Sequence, residues 1–331
     1  MSPMKKDDSR PFALVAADIG GTHVRIGWLD EPVAYSRAID LRGYRTYRGA
    51  EYADPAAIFA DFLAGRTVTA SDCVIAIAGA VQPDGSVVSN NLPWTFSART
   101  LGEQFGFRSV HLLNDFEALA YAVTQMDDSE WSSIHGPANA SGPILLIGPG
   151  TGLGVAVSIP AKPRPLVLAS EAGQMALAPS TEKEMEVLQR MLRRQSHIPA
   201  EQVVSGPGIL NLYQHLCALR DTPAIWTTPE EISAAALAGK DALAEETLEM
   251  FCGWLGSVAG DLALVYNITG GVYLAGGILP EIHGALIRSR FVSRFLDKGH
   301  MRATLEKIPI KLIEHGRLGV VGAVCWYAMR T

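Results

Sequence analysis

Asn114 and Asp115 put an amide beside a carboxylate, residue types that could do chemistry. Val110 to Leu113 is a short apolar run of strand character, and Phe116, Leu119 and Ala120 follow at helical spacing. Asn114 and Asp115 therefore lie at a strand-to-helix junction. A carboxylate there can take the proton of an attacking hydroxyl. The same position suits a helix N-cap, and spacing alone favours the cap. A second kind of chemistry comes from three glycine-rich turns: Asp18-Ile19-Gly20-Gly21-Thr22, Gly148 to Gly154 and Gly270 to Gly277. A glycine turn after a strand lets backbone N–H groups approach a phosphate, because no side chain blocks the way. Each turn alone is weak evidence and reads first as a tight hairpin. Three in one chain, two of them carrying a threonine (Thr22 and Thr151), point to a nucleotide.

The common nucleotide motifs do not account for these turns. The chain has no G-x-x-x-x-G-K-[ST], and Gly148-Pro149-Gly150-Thr151-Gly152-Leu153-Gly154 fails the dinucleotide spacing G-x-G-x-x-G. HExxH and GxSxG are absent as well. A nucleotide site built on hairpins remains, with Asp18 near the phosphates. An aspartate so placed can hold hydrated Mg²⁺, which keeps several waters and takes one or two carboxylates plus phosphate oxygens.

The elements that must carry these residues alternate between strand and helix. Phe12 to Ala17 and Val24 to Leu29 predict a hairpin around the first glycine turn, and Ile144 to Gly154 with Val155 to Ile159 predicts another. Cys73 to Ala78 and Val272 to Ala275 read as further buried strands. Met185, Leu188, Met191 and Leu192 mark the apolar face of an amphipathic helix. Ala242 to Tyr266 reads as one long helix whose Gly253, Gly256 and Gly260 imply close packing against another element, since each costs about 1 kcal/mol relative to alanine. Pro137 to Pro143 is a surface loop. The result is an α/β fold with mixed sheets, and the paired hairpins suggest a duplicated architecture.

At 331 residues and 48% apolar, the chain exceeds what one core usually serves, so two domains are expected. The formal charge of -6 gives no general attraction to nucleic acid or to anionic membranes. The opening MSPMKKDDSR lacks an apolar core segment, so it reads as a loose tail rather than a secretory signal. No uninterrupted apolar run approaches a bilayer's thickness. Cys73, Cys217, Cys252 and Cys325 are scattered, as expected of reduced core residues in a cytoplasmic protein.

From about Leu14 to Ala328 the chain resembles the bacterial glucokinase family, within the hexokinase/actin-like group of ATPases. Asp18 to Arg25 and Gly148 to Val155 are similar to the family's two phosphate motifs. Val203 to Gly208, with Asn211-Leu212-Tyr213, resembles its adenine-side segment, and Gly270 to Ile278 its adenosine motif. The resemblance implies an ATP-dependent hexose kinase that transfers the γ-phosphoryl group to the 6-hydroxyl of glucose, with Asp115 as general base. It implies ATP and Mg²⁺ as cofactors, with Asp18 holding the metal through water. Gly20, Gly21, Thr22, Gly150, Thr151, Gly152, Gly206, Gly276 and Gly277 are the expected nucleotide contacts. Asn91, Asn114, Glu171 and Glu201 are the expected sugar contacts.

The sequence departs from the family in two places. Glu171-Ala172-Gly173-Gln174 carries a glutamine where the family's E-G-G-H segment has its sugar-contacting histidine, and His23 stands where asparagine is common. Gln174 is either a sugar contact or a plain surface amide. Its presence leaves open another hexose such as N-acetylglucosamine, and a catalytically idle sugar sensor is a third alternative. The cysteine-rich zinc motif of the related ROK kinases and repressors is missing. The resemblance further implies an actin-like, ribonuclease H-like two-domain fold with an interdomain cleft, and a homodimer. The expected parts are a tail over 1–10, a small domain of 11–114 plus 316–331, and a large domain of 115–315.

Overall fold

The computed structural model describes residues 14–31, 39–66, 71–82, 85–88, 94, 97–126, 128–313 and 316–330. The expected tail and Asn91 lie outside these residues. The chain forms two compact units. One runs to Met126 and resumes at Gly316, and the other is the segment between. The expected break at 114/115 thus falls twelve residues later, because helix α3 (Asp115–Ala122) packs on the C-terminal helix α12 (Leu318–Ala328) in the first unit.

The first unit is built on strands β1 (Leu14–Ile19), β2 (His23–Leu29), β3 (Arg42–Arg48), β4 (Asp72–Ile77) and β7 (Ser109–Asn114), in the order β3-β2-β1-β4-β7. A small ribbon of β5 (Ala80–Val81) and β6 (Val87–Val88) lies apart. β1 and β2 are antiparallel, and β1, β4 and β7 run parallel. All six residues of β1 and of β4 are buried, so both faces of these strands are covered, as expected of interior strands. One face packs Ile19, Ile26 and Ile75 against Ile58, Phe59 and Phe62 of α1 (Pro55–Phe62) and Leu101 of α2 (Ala98–Phe105). The opposite face packs Ala16, Val74 and Leu113 against Ala118 of α3 and Val320, Ala323 and Val324 of α12.

The second unit repeats this plan. Strands β8 (Trp131–His135), β9 (Ile144–Pro149), β10 (Leu153–Ile159), β11 (Leu166–Ser170), β12 (Gly271–Leu274) and β13 (Ile310–Ile313) are ordered β11-β10-β9-β12-β13-β8. An antiparallel hairpin again leads into two parallel neighbours, β12 and β13. Helices α4 (Glu182–Leu192), α5 (Gly206–Leu219), α6 (Pro229–Leu237) and α7 (Ala242–Val265) follow the hairpin. The short helices α8 (Ile278–Glu281), α9 (His283–Arg288), α10 (Phe291–Leu296) and α11 (Arg302–Leu305) lie between β12 and β13. The segment 137–143 has no regular structure, as expected of a loop.

The long helix α7 is the axis of this unit's core. Its length and composition would suit a membrane span, yet 78% of its most apolar window is buried inside the protein. Its glycines are where α10 approaches: a Cβ at Gly256 or Gly260 would run into the carbonyls of Phe291 and Phe295. Its start is fixed by Asp241, which accepts from Leu243 and Ala244 N–H at 2.8 and 3.2 Å and from the side chains of Tyr213 and Trp226. Helix α4 corrects an expectation. Met185 and Leu192 are exposed, and the buried face is Glu184, Val187 and Met191. Glu184 is buried because both its oxygens accept from the Arg294 guanidinium, at 2.6 and 3.2 Å.

Candidate active site

In the first unit the site residues gather at the C-terminal edge of the parallel strands, the edge at which open α/β sheets bind ligands. The register runs Asp18↔Ala76 and Ala76↔Leu113, so Asp18 lies level with Leu113, two strands away. Two strand spacings are about 10 Å, and Asp115 follows two residues beyond Leu113. One edge of one sheet therefore presents both carboxylates.

Asn114 is the N-cap of α3, and its side-chain oxygen accepts from Phe116 and Glu117 N–H at 2.9 and 3.0 Å. Its amide donates to the carbonyl of Gly79 at 3.0 Å, tying the cap to the end of β4. The cap belongs to Asn114, so the competing role for Asp115 is already filled. Asp115 is the first helical residue, half-buried, with one oxygen accepting from Phe116 N–H at 2.9 Å. Asn114, expected to bind sugar, spends most of its hydrogen-bonding capacity on the fold.

Asp18 is almost fully buried. Burial pushes its carboxyl up from the usual carboxylate range, and Arg25 opposes this by donating to Oδ2 at 3.1 Å. The sequence alone assigns Arg25 no part of its own. The signal was the hairpin register, which pairs Asp18 with Arg25 across β1 and β2. Gly20 donates to the carbonyl of His23 at 3.0 Å, closing the turn over Gly21 and the exposed Thr22. His23 is pushed below its ordinary range by burial and by the charges of Arg25 and Arg48.

In the second unit three segments meet. Gly150 donates to the carbonyl of Gly152 at 2.8 Å, and its own carbonyl accepts from Gly206 N–H at 2.8 Å. Gly206 opens α5, capped by Ser205, whose hydroxyl accepts from Gly208 N–H at 3.0 Å. A Cβ at Gly206 would lie 3.3 Å from the Gly150 carbonyl and 3.4 Å from Ile278 of α8. Gly276, at φ +98°, lies against the Pro149 carbonyl with no room for a side chain. Gly150 and Gly277 have open space where a Cβ would be, and Thr151 is exposed. The structure thus brings Gly150, Thr151, Gly152, Gly206, Gly276 and Gly277 together around a backbone surface that a nucleotide can approach.

The expected sugar residues of this unit form a second cluster. Gln174 Nε2 donates to Glu201 Oε1 at 2.7 Å, and Leu153 N–H reaches Glu201 Oε2 at 3.4 Å. Gln174 is exposed, and its amide is tied to that carboxylate. The Gln174 backbone carbonyl is bonded to His197 Nε2 at 2.9 Å, a contact that no sequence spacing signalled. Glu171 starts the same 3₁₀ turn and is exposed, its carbonyl accepting from Gln174 N–H at 2.9 Å.

Two α/β units, each with a glycine hairpin inside a mixed sheet, define the actin-like ATPase fold of the sugar kinases. The structure superposes on a glucokinase from an Antarctic psychrotroph with a TM-score of 0.79 at 32% identity, covering 96% of this chain and 99% of that one. A ROK-family glucokinase from Streptomyces griseus, solved with glucose and AMPPNP, has the same fold at a TM-score of 0.64 and 22% identity, covering 96% and 99%. A glucokinase-like protein of Xylella fastidiosa is 49% identical over 95% of this chain and 94% of its own length. Residues 15–330 match the sequence profile of the glucokinase family, and the chain belongs to that family.

Proposed function

We propose that the protein is an ATP-dependent glucokinase that phosphorylates the 6-hydroxyl of glucose, with Asp115 as general base. The observation that carries this reading is the shared sheet edge of Asp18 and Asp115, with the α3 cap given to Asn114. Relatives named glucokinase support it, among them one from Saccharophagus degradans at 38% identity over 95% of the chain.

Phosphoryl transfer needs alignment and charge neutralisation more than covalent work by the protein. Asp115 accepts the proton of the attacking hydroxyl. Asp18 fits a magnesium ion held through water: it is a hard oxygen donor, buried, and only partly compensated by Arg25. When bound with ATP, that ion neutralises phosphate charge. The backbone N–H groups of Thr151, Gly152, Gly276 and Gly277 cradle the nucleotide, with the Thr22 and Thr151 hydroxyls as further phosphate donors. Glu171, Glu201 and Gln174 hold sugar hydroxyls, and Gln174 orients Glu201 while doing so. Four free, buried cysteines accord with a cytoplasmic enzyme.

ADP release with Mg-ATP across glucose, mannose, fructose, glucosamine and N-acetylglucosamine tests the proposal. Glucose is expected to give the highest kcat/KM. Turnover with another sugar alone would move the substrate, and turnover with none would overturn the enzyme reading.

A further inference from the structure

Helix α12 carries two glycines three residues apart, Gly319 and Gly322, which therefore share one face. Neither has a left-handed backbone, so conformation does not require them. Closeness does. A Cβ at Gly319 would lie 2.6 Å from both Cγ and Oδ2 of Asp18. A Cβ at Gly322 would overlap the carbonyl of Ala118, one turn into the helix that begins at Asp115. One face of α12 thus rests on one candidate carboxylate and on the helix that presents the other. The far end of α12 is tied down as well. The Tyr327 hydroxyl donates to Asp72, the first residue of β4, and Asp72 also accepts from Arg108 Nε at 2.9 Å and Ser109 Oγ at 2.6 Å. β4 is the strand between β1 and β7, so the latch and the two glycines grip the same sheet from both ends.

We infer that α12 is a spacer that sets the position of Asp18 against that of Asp115, with Gly319 and Gly322 as its two bearing points. The inference rests on the proposed roles of those aspartates. Gly319 and Gly322 are positioning residues. A helix backbone is stiff, so a methyl group at 322 must push α3 outward by roughly the overlap it creates, and a misplacement of about 1 Å can cost ~100-fold in rate. At 319 the neighbour is a carboxylate pinned by Arg25, which a methyl group must turn away from its present direction. In an open helix, glycine to alanine would instead be stabilising.

Gly322→Ala and Gly319→Ala, in the full chain, test the inference. Gly322→Ala is expected to lower kcat ~100-fold while the dissociation constant for glucose, from calorimetry, changes less than about threefold. Gly319→Ala is expected to raise the magnesium concentration for half-maximal activity about tenfold, again with glucose binding retained. Wild-type kcat and magnesium response in both variants would overturn the spacer, and so would a parallel loss of melting temperature, glucose binding and activity. Should either variant fail to fold, Tyr327→Phe decides, because it adds no volume. A several-fold fall in kcat with unchanged glucose binding supports the spacer, and an unchanged kcat removes it. Asp115→Asn separates the two levels. Retained activity there would take down the underlying base assignment, whereas a dead Asp115→Asn beside a fully active Gly322→Ala takes down the spacer alone.

Discussion

The glycine hairpins of the two sheets share a topology and differ in what they carry. In the first, the pair next to the turn is Ile19↔Val24 and the pair behind it is Asp18↔Arg25. In the second the corresponding pairs are Pro149↔Leu153 and Gly148↔Gly154. Where the first hairpin holds an ion pair, the second holds two glycines. One plan has been equipped for charge in one unit and stripped to its backbone in the other. Buried charge suits a metal-bearing and proton-accepting site, and bare backbone suits close approach to a nucleotide. Changes at the charged edge should therefore act on kcat, and changes in the second unit should act on binding or stability.

The largest effect expected is at the charged edge. Asp115→Asn keeps shape and cap, because Asn114 holds the helix start, and kcat should fall by ~10²–10⁴. KM values for glucose and ATP should stay within a few-fold. Steady-state kinetics checks the split, and a variant with near-normal kcat would end the assignment of the base to the first unit.

The second unit offers the converse. Glu184 and Arg294 are both buried, at 1% and 5% exposure, and each is the other's charge partner. Glu184→Ala leaves an uncompensated guanidinium, and loss of one partner of such a pair costs about 3–5 kcal/mol. Hydrogen exchange should show α4 and α10 losing protection while β1 and β4 keep theirs. Equal loss in both units would mean that they do not unfold separately.

The first unit has its own ionic anchor. Burial alone would raise the Asp72 carboxyl, but hydrogen bonds from Arg108, Ser109 and Tyr327 outweigh it and bring it to about 2. A depressed folded value stabilises above the unfolded value near 3.8 and loses that contribution as pH falls toward 2. Asp72→Asn should therefore destabilise by about 2 kcal/mol at pH 7 and by progressively less below pH 4. Denaturant titrations at pH 7 and pH 3 measure the difference, and an equal loss at both would contradict the carboxylate's role.

The contrast between the hairpins was only half legible in the sequence. Glycine turns punctuate apolar runs, so both hairpins and the strand-to-helix junction at Asn114 followed from local pattern. So did the packing glycines of α7, because a glycine inside a helix needs a reason. The pairing of Asp18 with Arg25 needed the hairpin's register, which a four-residue turn fixes only once the strands are paired. Glu184 finds Arg294 across 110 residues, and His197 finds the Gln174 carbonyl across 23. No periodicity carries such contacts. Met185 and Leu192 read as apolar-face residues of α4 because a buried glutamate is not expected without its partner in view.

The smallest effect expected is at the proposed sugar cluster of the second unit, Glu171, Gln174 and Glu201. Gln174 donates to Glu201 and leaves that carboxylate a second oxygen, near Leu153 N–H, with capacity for a hydroxyl. Gln174→His restores the family's residue with a ring that can also donate to Glu201. One hydrogen bond gained or realigned is worth about 1 kcal/mol, so the KM for glucose should fall roughly fivefold with kcat nearly unchanged. The amide does not titrate, whereas an imidazole changes charge between about pH 5 and 8. The wild-type KM should therefore vary less with pH across that range than the KM of Gln174→His. If KM is the same in both at every pH, the pair orients Glu201 without meeting the sugar, and the second unit's part in recognition rests on Glu171 and Glu201 alone.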